Sequence, residues 1–392
     1  MMLNELSFPG TQNLHAVLAS RSHTAGYTHN FYLYPARFSP DLARTIILEF
    51  TRKGDWVLDP FMGGGTSIIE GLSLGRRMVG IDLNALACFV SSVRTSPLSR
   101  RDEASLLRWA ESPGGATSGP TGMAPRLVEN LPLVVRSFMS KALSGLGGLP
   151  FPRQRAFARC SLLRLGQWST DCRDPSSQSP RRLAERLPKL VCEMLTGLRE
   201  FVEACKNNGV YKNQIARQRL LLNRSSVGID SEPALGAVRP RLILTSPPYP
   251  RVHVLYHRWQ VGGRKETSAP YWIAQVSDGY FGSYYTGGSR TPSGERKYFS
   301  MILGVFSSVR KMIAPEGVLA QLVGFTDVKS QLPKYLDVMS DAGFDLLHPA
   351  DGIRWWRDVP NRKWYATMKG ATDSASEVLL IHRPRHPRQF KP

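Results

Sequence analysis

Val57-Leu58-Asp59-Pro60-Phe61-Met62-Gly63-Gly64-Gly65-Thr66 decides how this chain is read. Apolar residues run into an acid, then a glycine cluster, then the helix-compatible Ser67-Ile68-Ile69-Glu70-Gly71-Leu72. That order predicts a buried parallel strand, a tight turn and a helix start. Glycine lets the backbone pass close to a ligand because no Cβ stands in the way. A second strand, Met78-Val79-Gly80-Ile81-Asp82, ends in another acid about 23 positions after Asp59. At that spacing a second strand's carboxylate reaches a bound ribose. A βαβ unit that binds nothing has the same pattern, so the stretch alone does not settle function.

The second signal lies far downstream, in Leu242-Ile243-Leu244-Thr245-Ser246-Pro247-Pro248-Tyr249. Here an apolar strand stops at two consecutive prolines and an aromatic ring. Proline cannot donate into a sheet, so the strand ends there and the tetrapeptide Ser246-Pro247-Pro248-Tyr249 sits at its carboxyl end. In an open α/β sheet that end is where ligands bind.

Together the two stretches resemble the amino-methylating DNA methyltransferases, which move a methyl group from S-adenosylmethionine to an exocyclic base nitrogen. The first looks like that family's cofactor loop, with Gly64 where serine is common, and Thr245-Ser246-Pro247-Pro248-Tyr249 looks like its catalytic motif, in a form frequent among cytosine-N4 enzymes. The resemblance covers roughly residues 28–95 and 217–383. It implies a Rossmann-like class I methyltransferase fold: an α/β protein with a mostly parallel seven-stranded sheet, helices on both faces, and here a helical insertion. It also implies S-adenosylmethionine as cofactor. The backbone around Gly63 and Gly65 would lie against its methionine part, within a loop completed by Pro60, Phe61 and Thr66. Asp59 would sit near its amino group, Asp82 would accept from both ribose hydroxyls, and Leu83 would flank the adenine. Tyr34 and Phe38, just before the first helix, would line the pocket near the methionine end; as aromatics they could equally be core.

The implied catalytic residues are Ser246, Pro247, Pro248 and Tyr249. An exocyclic amine is a poor nucleophile because its lone pair is conjugated into the ring. Ser246 Oγ and a carbonyl of the Ser246-Pro247 backbone could accept its hydrogens and turn the lone pair toward the donor, on a backbone that proline keeps rigid. Tyr249 would stack on the base. The target atom is unreachable inside a stacked duplex, so the nucleotide must flip out. No cysteine follows a proline, which argues against cytosine carbon-5 methylation, since that needs a thiolate attacking the ring. A dinucleotide reading of the glycine turn competes, but a strict G-x-G-x-x-G is missing.

Composition bounds the partner. Lys and Arg number 51 against 31 Asp and Glu, a formal net charge of +20. Such an excess favours a polyanion, through counterion release and long-range attraction. No basic amphipathic helix or lipidation signature favours a membrane surface instead. The five cysteines fall at irregular spacings without a C-x-x-C, so no metal site is expected, and reduced thiols in a cytoplasmic protein are.

Along the chain, Ser39-Pro40 predicts a helix start, with Leu42, Ile46, Ile47 and Phe50 on one face. Residues 1–98 read as the first part of the catalytic domain, and 99–210 as a basic helical insertion that serves target recognition or forms a lid. Its helices are expected at 126–145, 153–168 and 180–206. Residues 211–383 complete the catalytic domain. Its strands are expected at Gln218–Leu222, Arg241–Thr245, Val318–Val323 and Glu377–Ile381, and its helices at Tyr298–Ile313 and Leu332–Ala342. Residues 250–297 read as one long aromatic loop, and 384–392 as a disordered basic tail. The expected partner is double-stranded DNA with a flipped base, and a restriction endonuclease or other defence-system component is a further possibility. An RNA base methyltransferase and a non-catalytic nucleic-acid-binding subunit are the alternatives.

Overall fold

The computed structural model describes residues 5–6, 14, 16–18, 26–33, 39–114, 125–170, 178–250, 259–261, 265–277, 291–325, 327–349, 355–358 and 376–385. Its framework is one sheet, formed from β1 (Trp56–Asp59), β2 (Arg77–Asp82), β3 (Arg219–Asn223), β4 (Leu242–Thr245), then, past a hairpin of β5 (Trp259–Val261) and β6 (Lys265–Thr267), β7 (Val318–Gly324), β8 (Phe344–Leu346), β9 (Trp355–Asp358) and β10 (Ser376–Pro384). The order across the sheet is β9-β10-β7-β4-β1-β2-β3, and β8 also pairs with β10. Neighbours from β3 to β7 are parallel; β10 runs antiparallel to β7, β8 and β9.

The central strands are apolar on both faces because helices cover both. Val57, Leu58, Leu242, Ile243 and Leu244 are all fully buried. One face carries α1 (Pro40–Phe50), α2 (Thr66–Ser73) and α3 (Ala85–Arg94), and beyond them α4 (Arg100–Glu111), α5 (Leu133–Ser144), α6 (Pro152–Thr170) and α7 (Pro180–Asn207). The apolar side chains of these insertion helices continue the same hydrophobic cluster as Val57, Ile68 and Leu242. On the opposite face α9 (Pro292–Met312) and α10 (Val328–Asp341) build a second cluster around Phe306 and Tyr335. The short α8 (Ala269–Ala274) belongs to the first cluster. Among the described residues, no helix is long and apolar enough to cross a membrane.

Several expectations need correction. The sheet is seven positions wide, as expected, but it holds eight strands. The strand beside β10 is interrupted: β8 and β9 pair with the same partner, and residues 347–354 connect them although only Leu380 and Ile381 of β10 lie between the paired stretches. Residues 250–297 are no uninterrupted loop, since β5, β6 and α8 lie within them. The helix expected from Tyr298 begins at Pro292, where Thr291 caps it by accepting from the Gly294 amide. The helix expected from Leu332 begins at Val328 behind the Asp327 cap, and Pro333 is accommodated inside it. The tail loses two residues to order: Pro384 ends β10, and Arg385 pairs with Asp345 at 2.9 Å. Residues 386–392 lie outside the described residues.

Candidate active site

β1, β2 and β4 end at the same edge of the sheet, where the residues singled out in the sequence gather. Along these ends Phe61, Gly63, Asp82, Leu83 and Ser246 reach solvent, while Pro60, Met62, Gly64, Gly65, Asn84, Thr245, Pro247 and Pro248 are buried. The open residues thus come from both motifs.

Two glycines shape the loop. Gly63 and Gly65 both have positive φ, and a Cβ on Gly65 would stand 2.5 Å from Ser91 Oγ. The turn therefore needs glycine for both conformation and space. Asp82 reaches back across it: its Oδ2 accepts from the Gly63 amide at 2.9 Å and its Oδ1 from the Asn84 amide at 2.8 Å. Burial pushes Asp82 up to about 6, against the pull of those two amides. A carboxylate offers about four acceptor positions, so roughly two remain for a ligand.

Asp59 is tied into the protein by three donors. Its Oδ1 accepts from Thr245 Oγ1 at 2.7 Å and from the Phe61 amide at 3.1 Å, and its Oδ2 accepts from the Ser67 hydroxyl. It is 5% exposed, and burial raises it to about 6 despite the hydrogen bonds from Ser67, Thr245 and Phe61. With three protein donors on it, Asp59 braces β1 against α2 and against the first residue of the downstream motif.

Sequence reading missed the residues that hold this edge together. Arg94, at the end of α3 and fully buried, donates to the carbonyls of Gly64, His29 and Tyr32. It ties the glycine loop to residues 29–32. His29 in turn lies 2.7 Å from Glu70 of α2, which also pairs with Arg44 of α1 at 2.8 Å. Ser226 donates to the Pro60 carbonyl at 2.6 Å, and the Asn223 amide group donates to the carbonyls of Asp82 and Leu83. Tyr34 and Phe38 lie outside the described residues.

In the downstream motif, Ser246 Oγ lies 3.4 Å from the Tyr249 hydroxyl, which donates to Glu377 Oε1 at 2.5 Å. Tyr249 is 7% exposed, with its ring against Gly324 of β7. The chain beyond the motif docks on the insertion. Trp259 packs against Gly166 of α6, where a Cβ would stand 2.1 Å from the indole. Arg159 of α6 donates to the Ile273 carbonyl at 2.8 Å, and Asn130 to the Glu266 carbonyl at 2.9 Å. Tyr271 closes the circle back to the end of β2, accepting from Asn84 Nδ2 at 2.6 Å. The helices of residues 99–210 and the stretch beyond the tetrapeptide are therefore physically joined.

Residues 9–91 match the N6_N4_Mtase family, described as DNA methylase. Over 81 residues the chain is 38% identical to the Type II methyltransferase M.MvaI of Kocuria varians, covering 20% of this chain and 18% of that protein. Over 54 residues it is 43% identical to the tRNA (guanine(10)-N2)-dimethyltransferase of Methanothermobacter thermautotrophicus, covering 14% of this chain and 16% of the relative. The chain thus spans less than a fifth of either relative. The solved rRNA methyltransferase aviRa of Streptomyces viridochromogenes aligns over 94% of this chain and 92% of its own, at 12% identity and a TM-score of 0.33. Residues 9–91 of this chain are thus similar to the DNA methylase family, and the two strands within them, β1 and β2, lie in a mostly parallel α/β sheet.

Proposed function

We propose that the protein transfers a methyl group from S-adenosylmethionine to an exocyclic amino group of a flipped DNA base, cytosine N4 ahead of adenine N6. The observation that carries this reading is the hydrogen bond from Thr245 to Asp59. It fastens the start of the Ser-Pro-Pro-Tyr segment to the acid of the glycine loop, on adjacent strands, so both motifs serve one site.

The residues fit the cofactor. Gly63 turns with a positive φ and reaches solvent beside Asp82, and the partly buried Asp82 keeps acceptor capacity for two ribose hydroxyls. Leu83, 49% exposed, is free to flank a purine. Pro60, Phe61, Gly63 and Thr66 would shape the methionine side, with Tyr34 and Phe38 as its outer wall. Asp59 acts there as the brace under the loop. When bound, S-adenosylmethionine supplies an electrophilic methyl on its sulfonium sulfur. The chain's own contribution is alignment: Ser246 Oγ and the Ser246-Pro247 backbone accept from the target amine and free its lone pair, in a pocket that excludes water. The net charge of +20 suits a DNA substrate, and a restriction endonuclease or other defence component would be the fitting protein partner.

Incubation with S-adenosylmethionine and DNA, followed by digestion and mass measurement, tests this. The expected product is N4-methylcytosine, and Ser246→Ala should lower kcat strongly while cofactor binding persists, because the lost acceptor acts in the transition state. Methyladenine would change the base and keep the chemistry. The likeness to a tRNA enzyme makes RNA the second substrate to assay, and methylation of RNA alone would move the reading to that class. Methyl on cytosine carbon-5, or full activity in Ser246→Ala, would overturn the mechanism.

A further inference from the structure

Tyr249 sits where a stacking ring is expected, and its hydroxyl makes contacts of its own. The hydroxyl bridges Ser246 Oγ, at 3.4 Å, and Glu377 Oε1, at 2.5 Å. Glu377 is 2% exposed and stands on β10 directly across the ladder from Gly324, the glycine that makes room for the Tyr249 ring. A Cβ at Gly324 would come within 2.8 Å of that ring. The last strand of the sheet therefore reaches the reactive tetrapeptide through one tyrosine.

Resting on the function proposed above, we propose that Glu377 is a positioning residue that sets the direction of the Ser246 hydroxyl through Tyr249. The argument is one of donors and acceptors. A carboxylate only accepts, so the single phenolic hydrogen of Tyr249 is directed to Glu377. The phenol oxygen is then left to accept, and the one hydrogen of Ser246 turns toward it. The lone pairs of Ser246 Oγ consequently face away from Tyr249, available to the N–H of a target amine. Without the carboxylate, the phenol could donate to Ser246 and occupy a lone pair that the amine needs. The direction of the hydrogen-bond chain thus makes the serine an acceptor. The buried glutamate ensures it, with no proton transfer required.

The test is a double-mutant cycle with Tyr249→Phe, which keeps the ring, and Glu377→Gln, which keeps the shape. Single-turnover methylation, DNA KM, cofactor affinity and thermal unfolding of the cofactor-free protein are measured for each. Each single variant is expected to lower the methylation rate about 10- to 100-fold, the equivalent of one lost charge-assisted hydrogen bond. Cofactor affinity and DNA KM should stay as in the wild type, and the double variant should fall no further than the worse single one. The same non-additivity should appear in thermal unfolding, which reads the Tyr249–Glu377 link independently of turnover. If Glu377→Gln does not fold, Tyr249→Phe carries the test alone. Wild-type rates in Tyr249→Phe beside an inactive Tyr249→Ala would leave stacking as the ring's sole task and overturn the proposal, as would rate losses that multiply in the double variant. A wild-type protein that methylates no nucleic acid fails at the prior step, and the positioning role falls with the function.

Discussion

Asp82 shows how a single side chain couples the site to pH. Its carboxyl group is held at about 6 by burial, so the free protein takes up a proton as pH falls through that value. Two ribose hydroxyls require a carboxylate to accept them, and binding therefore favours the deprotonated form. Cofactor affinity should be flat above about pH 7 and fall by up to about tenfold per pH unit below about 6. Calorimetry across that range checks this, and Asp82→Asn should bind weakly with a flattened slope. Any slope that survives in Asp82→Asn reports Asp59, which titrates in the same range. Unchanged wild-type affinity in acid would take Asp82 off the ribose. Asp59 and Asp82 could be found in the sequence because a carboxylate after an apolar run, next to glycines, carries its chemistry in its residue type. Arg94 could not. It is one of many basic residues in the chain, and its partners are backbone carbonyls, which have no residue identity to be read. Glu377 was hidden for a related reason: its position reads as the first residue of a strand, and only the fold brings Gly324 and Tyr249 beside it.

At the scale of elements, the sequence is legible where local chemistry and the fold agree. β1, β2 and β4 were found as continuous apolar runs because both of their faces are covered. The interrupted strand was not, since β8 and β9 are each too short to show a period. α9 was found from its apolar face but begun too late, because its first turn is polar and announced only by Thr291-Pro292. The insertion has a comparable signature at Ser99. There Ser99 and Asp102 cap α4 reciprocally, and Asp102 also accepts from Arg153 at 2.7 and 2.9 Å and from Gln154 at 2.9 Å. Burial works against the charged form, but the hydrogen bonds from Arg153 and Ser99 prevail and hold Asp102 down at about 2. A carboxyl group lowered in the folded state contributes stability that is present above its unfolded value near 4 and lost as pH falls through about 2. Asp102→Asn should therefore cost about 1–2 kcal/mol at neutral pH, allowing for the exposed Arg153 partner. Urea unfolding at neutral and at acid pH measures it. The gap between variant and wild type should close in acid, and an equal gap at both would discount the ion pair.

For the whole molecule, charge and core point to different properties. The net charge of +20 predicts DNA binding that weakens steeply with salt. Arg181 and Arg186 meet Glu185 and Glu193 at 2.8 and 2.7 Å, but exposed pairs of this kind are screened by solvent and contribute little, and phosphate can displace them. Charge reversal at Arg181, Arg182 and Arg186 should lower affinity for all DNA sequences alike and flatten the salt dependence, because phosphate contacts carry no base identity. Binding titrations over a salt series check this. An unaltered slope would leave the insertion a lid or an assembly surface. The core has another consequence. Trp259 against Gly166, and the bonds from Arg159 and Asn130 to the segment beyond the tetrapeptide, make two distant stretches of chain into one interlocked piece. Grafting either stretch into a related scaffold would leave a tryptophan-shaped void on one side and an uncovered indole on the other. A chimera built to change target preference must carry both stretches across together, and natural recombination faces the same constraint.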